Sequence, residues 1–440
     1  MQSNLSIIIL AAGQGTRMKS TLPKVLHKIS GKEMLYYSIE EAQKLSNDIH
    51  VVLYHQADLV RSSMDKYFTN IHYHIQDHKK YPGTGGAVMG ITPACEKVLV
   101  LNGDMPLIEA EELIQLTKDE DSHEAENRKI TMSVLNLDCA DGYGRVLIEK
   151  AKVSKIIEQK DCCSYELEIK SANAGIYCFD TKFLLENLPK LSNENAQKEY
   201  YITDLIEIAV EANIDIKPVI VKEENFKGVN SKFDLANAEV IHQNRIKTNF
   251  LKAGISMKLP DTIYIEHGVI IEGETILENG VTLLGDSKLI DAHIKTNSIV
   301  EDSLIENSDI GPMARIRPLS IIKDTHIGNF VEVKKSQLTG VKAGHLAYLG
   351  DSTIDEGSNI GAGTITCNYD GVNKYKTIIG KNVFIGSDTQ LVAPVTLEDN
   401  TIIAAGSTIT SDVRSGDLAI SRTKQKSIKG FFYRFFNTTK

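Results

Sequence analysis

The sequence predicts two successive architectures, an α/β domain with a mostly parallel sheet and then a parallel β-helix. Three observations carry this reading. Up to about residue 225, short β-rich runs alternate with helical patterns. Residues 231 to 250, "SKFDLANAEVIHQNRIKTNF", hold no glycine or proline and read as a connecting helix in which Phe233, Ala236, Val240 and Ile241 share a face. Beyond about residue 260, aliphatic residues recur every six positions, a period that is neither helical nor simple strand alternation.

In the first part, "SIIIL" (6 to 10), "IHVVLY" (core 50 to 54), "IHYHI" (71 to 75), "KVLVL" (97 to 101) and "KITMSVLNL" (129 to 137) read as strands. "MLYYSIEEAQKLS" (34 to 46) and "EAEELIQLTK" (109 to 118) read as helices. Such α/β sheets bind ligands beyond the carboxyl ends of their strands. In the second part, Ile379, Ile385, Leu391, Leu397, Ile403 and Ile409 keep the six-residue period, as do Ile310, Ile316 and Ile322. Each hexad supplies one flat face of a coil with its aliphatic residue inward. The period breaks between Gly328 and Asp351 and around Thr366 to Thr377, where loops are expected. The glycine-poor stretch 283 to 298 leaves its coil boundaries loose.

Composition sets limits. A chain of 440 residues suggests two or three domains, here 1–230, a linker helix 231–251, and 252–440. With 42% hydrophobic and 24% charged residues and no apolar run near the ~20 residues of a membrane span, integral membrane association is not expected. The start lacks a basic, signal-like segment, so a cytoplasmic protein is expected. A formal charge of −9 weighs against nucleic-acid binding. Six cysteines without CxxC spacing weigh against a zinc site or disulfide framework.

The stretch "LAAGQGTRMKSTLPKVL" (10 to 26) follows the first strand and fits neither GxGxxG nor the P-loop pattern. A glycine turn after a strand still offers backbone N–H groups to an anion, and Arg17 and Lys24 add positive charge. "VLVLNGDMPL" puts Asp104 at a strand's carboxyl end, where a carboxylate can bind Mg²⁺. "PGTGGA" (82 to 87), "GYGRV" (142 to 146), "IIEQKD" (156 to 161), "NAGIY" (173 to 177) and "GVNSK" (228 to 232) follow in order. In "PGTGGA", Gly86 stands where a bulkier polar residue is expected.

Together these strings resemble the sugar-nucleotide pyrophosphorylases, and within them the bifunctional N-acetylglucosamine-1-phosphate uridyltransferase and glucosamine-1-phosphate acetyltransferase family. The resemblance runs from Ile7 to about Arg422. It implies a Rossmann-like nucleotidyltransferase domain, a left-handed parallel β-helix, and an enzyme of UDP-N-acetylglucosamine synthesis that feeds peptidoglycan and lipopolysaccharide formation. Its substrates would be glucosamine 1-phosphate, acetyl-CoA and UTP, and its assembly a homotrimer with acetyl-transfer sites completed across subunits. Leu10, Ala11, Ala12, Gly13, Lys24, Gln76, Gly83 and Thr84 would line the nucleotide pocket. Gly144, Glu158 and Asn173 would contact the sugar, and Asp104 and Asn230 would hold Mg²⁺.

"GNFVEVKKSQLTGVKAGHLAYLGD" (328 to 351) and "ARIRP" (314 to 318) resemble the family's acetyltransferase site. The resemblance makes His345 the base that deprotonates the attacking amine, oriented by Glu332. Arg317, Lys334, Tyr348 and Asn359 would bind the sugar phosphate. Ala362, Asn368, Tyr369, Ser387, Ala405 and Arg422 would contact acetyl-CoA. Two other readings stay open at this stage: a one-activity nucleotidyltransferase with a scaffold β-helix, and a non-catalytic sugar-nucleotide sensor. The stretch "KGFFYRFFNTTK" (429 to 440) is expected first to pack on a neighbouring subunit, the alternatives being a membrane surface or disorder.

Overall fold

The structure, a computed structural model, describes residues 4–118, 127–157, 159–195 and 197–439. The chain forms two compact units, residues 1–242 and 243–440.

In the first unit the strand order is Asp215–Ile220, Arg128–Asn136, Ser171–Asp180, Lys97–Asn102, Leu5–Leu10, Asp48–Leu53, His72–Ile75. Leu5–Leu10 is central and parallel to both neighbours, Asp48–Leu53 and Lys97–Asn102. That position explains its unbroken apolar run, since a strand covered on both faces has no polar side to present. Ile7 and Ile9 enter one core cluster and Ile8 the other, as alternation across the pleat requires. The predicted helices are present as Met34–Gln43 and Ala110–Thr117.

Among the seven strands of this order, one breaks the parallel pattern. Ser171–Asp180 runs antiparallel between Lys97–Asn102 and Arg128–Asn136, with a register shift between Asn173 and Tyr177. Because it runs backwards, its first residues lie at the edge where the parallel strands end, so Asn173 reaches the ligand side from the opposite direction.

The helix Lys232–Lys252 occupies the expected stretch, but its buried face differs from the expected one. Phe233 and Val240 are 74% and 59% exposed and Ala236 is exposed, whereas Ala238 is buried and Leu235 and Ile241 pack beside Met34, Tyr37 and Val229. Polar contacts choose this face: Glu239 accepts from the Ser30 backbone N–H at 3.0 Å, and the His242 ring lies 2.8 Å from Ser30 Oγ.

The second unit is built from three parallel sheets of 10, 9 and 8 strands, consistent with a left-handed β-helix of hexapeptide repeats. Every hexad position named above, from Ile310 to Ile409, is buried. In the glycine-poor stretch the coils stay regular because Asp291 and Asn297 take positive φ at the corners (49° and 56°). Asn and Asp tolerate this conformation better than other side chains.

The first period break is not a loop. Ile322, Ile327, Val333, Leu338, Ala343, Leu349, Ile354 and Ile360 are all buried, so the ladder continues with some spacings shortened from six to five. The second break is a loop: residues 368–376 leave the coil between Ile365–Cys367 and Thr377–Ile379, and a Tyr369–Lys374 bridge closes it.

Candidate active sites

In the first unit a cleft of 510 Å³ opens at the carboxyl ends of the central strands. Leu10, Ala11, Ala12, Gly13, Lys24, Gln76, Gly83, Thr84 and Asp104 line it, together with Asn102 and Glu199, which sequence reasoning missed. Leu10 and Asn102 are register partners, so Gly103 and Asp104 emerge beside the glycine loop, and the Gly103 N–H donates to Leu10 O at 2.9 Å.

Each local turn has a steric reason. Gly15 has φ 63°, and a Cβ there would lie 2.5 Å from Lys24 Cβ. The loop can close over Lys24 only without a side chain. At Gly86 a Cβ would lie 2.2 Å from Tyr81 O. That contact excludes the bulkier polar residue expected at this position. The neighbouring turn is held by Gln76, whose side-chain amide donates to Tyr81 O and Gly83 O, both at 2.9 Å. Gly86→Ser is therefore expected to destabilise the first unit by about 1–3 kcal/mol, read as a lowered Tm.

The charged centre of the cleft is compact. Lys24, with its side chain 10% exposed, forms an ion pair with Asp104, and its Nζ also donates to Asn230 Oδ1 at 2.6 Å. Asn230 is held in turn by Asp234, whose carboxylate accepts from the Asn230 and Ser231 N–H groups at 3.1 and 2.9 Å at the start of the helix. The Val229 N–H donates to Asp104 O at 2.8 Å, joining the two segments. A carboxylate oxygen and an amide oxygen thus already converge on one positive point. Hard oxygen donors of this kind suit a divalent cation that keeps its other sites for phosphate and water. Among the described residues no group of three His, Cys, Asp or Glu side chains is placed to hold a metal without such help. Arg17 is exposed and stands outside the cleft lining.

At the start of the antiparallel strand, the Asn173 N–H donates to Gly144 O at 2.9 Å, and Asn173 Oδ1 accepts from the Gly175 N–H and the Tyr177 hydroxyl at the same distance. Asn102 Nδ2, which lines the cleft, donates to Gly175 O at 3.1 Å and ties this strand to it. Arg145, 1% exposed, donates to Ala140 O and Tyr143 O at 2.7 and 2.5 Å and fixes the "GYGR" turn. Glu158 lies outside the described residues.

In the second unit, the Arg315–Arg317, Glu332–Lys334 and Tyr348–Gly350 strands are consecutive rungs of one sheet. Arg317 is in register with Lys334, and Glu332 with Tyr348. Arg317 Nη1 donates to Glu332 Oε1 at 2.8 Å, and this carboxylate raises the guanidinium's pKa. Lys374, from the loop 368–376, lies against Lys334 and, with Arg317, depresses the Lys334 ammonium below its usual range. Three cations therefore crowd together around one paired carboxylate, an arrangement that favours an anion. Sequence reasoning missed Lys374, although its place in a period break was a signal. A Cβ on Gly350 would lie 2.5 Å from Tyr348 Oη, so the glycine makes room for that ring.

His345 ends the strand Lys342–His345 and is exposed, in register with Asn329. Among the described residues its ring makes no hydrogen bond, and the partner of Glu332 is Arg317. Asn359 follows one rung on, paired with Lys342. Ala362, Ser387 and Ala405 form a column along successive corners: the Asp388 N–H donates to Ala362 O at 2.7 Å and the Gly406 N–H to Ser387 O at 2.8 Å. Arg422 Nη1 closes the column on Ala405 O. Asn368 Nδ2 donates to Asp351 Oδ2 at 2.6 Å, and the Tyr369 hydroxyl to Gly371 O at 2.5 Å. Lys374→Ala is expected to weaken binding of a phosphate anion at this cluster roughly tenfold, the loss of one charge-assisted contact, read by titration with inorganic phosphate.

A glycine-loop cleft at the strand ends, joined in one chain to a cation-bearing β-helix, defines a nucleotidyltransferase fused to a hexapeptide-repeat transferase. The family models agree, with the MobA-like NTP transferase domain matching residues 7–132 and the bacterial transferase hexapeptide (six repeats) matching residues 376–411. The chain is 68% identical over 435 residues to the bifunctional protein GlmU of Aliarcobacter butzleri, covering 99% of both chains. It is 57% identical over 437 residues to that of Wolinella succinogenes, covering 99% of this chain and 100% of the relative. The chain belongs to the bifunctional GlmU family.

Proposed function

We propose that the cleft around Lys24 and Asp104 is the uridylyltransferase centre, and the ladder from Arg317 to Arg422 the acetyltransferase centre, of an enzyme that makes UDP-N-acetylglucosamine. Residues 1–230 would carry the first activity, 231–251 the linker and 252–440 the second. The observation that carries the first assignment is the convergence of Asp104 and Asn230 Oδ1 on one cationic point.

Bound by Asp104 and Asn230, Mg²⁺ would supply charge neutralisation at the triphosphate. The chain's own groups do the rest. Backbone N–H groups of the loop at Ala12 and Gly13 face the phosphates, Lys24 adds charge within the cleft and Arg17 from outside its lining, and Gln76, Gly83 and Thr84 shape the base pocket. Gly144, Glu158 and Asn173 position N-acetylglucosamine 1-phosphate, whose phosphate oxygen attacks the α-phosphorus of UTP as pyrophosphate leaves. No protein nucleophile is needed, so positioning and electrostatics carry the rate.

In the second centre Arg317, Lys334 and Lys374 receive the phosphate of glucosamine 1-phosphate, beside Tyr348 and Asn359. The amine attacks the thioester carbon of acetyl-CoA, its proton passes to the ring of His345, and CoA leaves as the thiol. Glu332 acts on this arrangement through Arg317. The column Ala362, Ser387, Ala405, with Asn368, Tyr369 and Arg422, lies along the acetyl-CoA. The flat coil faces suit a homotrimer, and a dissociated chain should lose acetyl transfer first. We assign the enzyme to the cytoplasm, where UTP and acetyl-CoA are supplied.

Product analysis tests the reading. With glucosamine 1-phosphate, acetyl-CoA, UTP and Mg²⁺ all present, UDP-N-acetylglucosamine should form, and omission of any one should prevent it. Uridylylation without any acetylation would reduce the β-helix to a scaffold.

A further inference from the structure

The loop 368–376 carries Lys374 to a place that like charge disfavours. There it meets the Lys334 ammonium, with Arg317 beside it, and three cations so close repel one another unless an anion lies among them. Left to itself, the loop would swing outward.

Within itself the loop is braced. The Tyr375 N–H donates to Asn368 O at 2.8 Å, Tyr369 bridges to Lys374, and Asp370 Oδ1 accepts from the Val372 and Asn373 N–H groups at 2.8 and 2.6 Å. A segment tied in this way moves as one piece, so its pose is set where its ends meet the coil. Both ends meet Asp351. At the start, Asn368, 7% exposed, donates from Nδ2 to Asp351 Oδ2 at 2.6 Å. At the finish, the Thr377 N–H donates to Asp351 O at 3.2 Å.

Asp351 is itself fixed to the cation rung. Its N–H donates to Lys334 O at 3.0 Å, its side chain is 11% exposed, and its φ of 48° is one that aspartate tolerates at a coil corner. The same carboxylate lies 3.7 Å from Lys335 Nζ and opposes the lowering of the Lys334 ammonium by Lys374 and Arg317. One residue thus joins the loop to the rung it must face.

We propose that Asp351 is a positioning residue of this anion site: by tethering both ends of the loop 368–376 it holds Lys374 against Lys334 and Arg317 ahead of binding. The anion then need not order the loop, and its affinity is not spent on doing so. That the anion is the phosphate of glucosamine 1-phosphate rests on the acetyltransferase assignment above.

The test uses the full chain and titration with inorganic phosphate. Asp351→Gly removes the carboxylate and leaves a residue that adopts φ 48° freely, so it should weaken phosphate binding roughly tenfold, as Lys374→Ala does. Asp351→Asn keeps an oxygen that accepts from Asn368 Nδ2 and should stay within about twofold of the parent. D351G/K374A should bind no more weakly than Lys374→Ala alone, because the tether acts through Lys374. The chain has no tryptophan, so Tyr375→Trp reports on the loop by itself. The fluorescence anisotropy of its indole should fall when Asp351→Gly is added and recover with phosphate. Parental phosphate affinity in Asp351→Gly overturns the proposal. So does a further loss of roughly tenfold in D351G/K374A, which would make the effect one of general stability. If phosphate binding and the indole respond while KM for glucosamine 1-phosphate does not, the tether stands and the assignment of the cluster to that substrate falls.

Discussion

Asp104→Ala is expected to lower UDP-N-acetylglucosamine formation by roughly 10³-fold or more, while acetyl transfer from acetyl-CoA stays at the parental rate. Two losses add in the first unit. The carboxylate that converges with Asn230 Oδ1 disappears, so the site can no longer concentrate positive charge at the triphosphate. Lys24, largely buried, also loses its ion partner and keeps only the 2.6 Å contact with Asn230. Leaving that ammonium half-satisfied costs about 1–3 kcal/mol, a visible fall in Tm that does not by itself unfold a domain. Asp104→Asn separates the effects, because the amide oxygen can still accept from Lys24 Nζ. Its Tm should return towards the parent's while turnover stays low. Near-normal turnover of Asp104→Ala with Mg²⁺ as the only metal would falsify the assignment.

The complementary variant is His345→Ala. Removal of a general base lowers rates by about 10²–10⁴-fold, so acetylation of glucosamine 1-phosphate should fall by that factor. Uridylylation of supplied N-acetylglucosamine 1-phosphate should be unaffected. His345 is exposed and its ring holds no hydrogen bond among the described residues, so the change in stability should stay within about 0.5 kcal/mol. Loss of both activities together would mean that His345 supports the fold instead of the chemistry.

What the sequence revealed followed from how local each signal is. The run Leu5–Leu10 and the aliphatic hexads were legible because burial on a strand or a coil face is written in the residues themselves. Asp104 could be placed because it ends an apolar strand. The antiparallel direction of Ser171–Asp180 was not legible, since it is set by pairing with strands far away in the chain. The buried face of the helix Lys232–Lys252 was misread because Ser30, two hundred residues earlier, draws in Glu239 and His242 against the apolar pattern. The stretch from Gly328 to Asp351 looked like a loop because a corner can lose one residue without breaking the ladder. Lys374 escaped notice because its relation to Lys334 exists only after the loop 368–376 folds back.

The corner column Ala362, Ser387, Ala405 acts as a ruler. Each coil adds one rung of ~4.8 Å, and nothing but the number of coils sets how far Arg422 stands from His345. A point substitution in the core leaves that reach unchanged, whereas removal of one whole coil would keep every inward contact type and still shorten it by a rung. On the proposed acetyl-CoA assignment, length along the axis is therefore a specificity element in its own right, counted in repeats and independent of which side chains face the substrate.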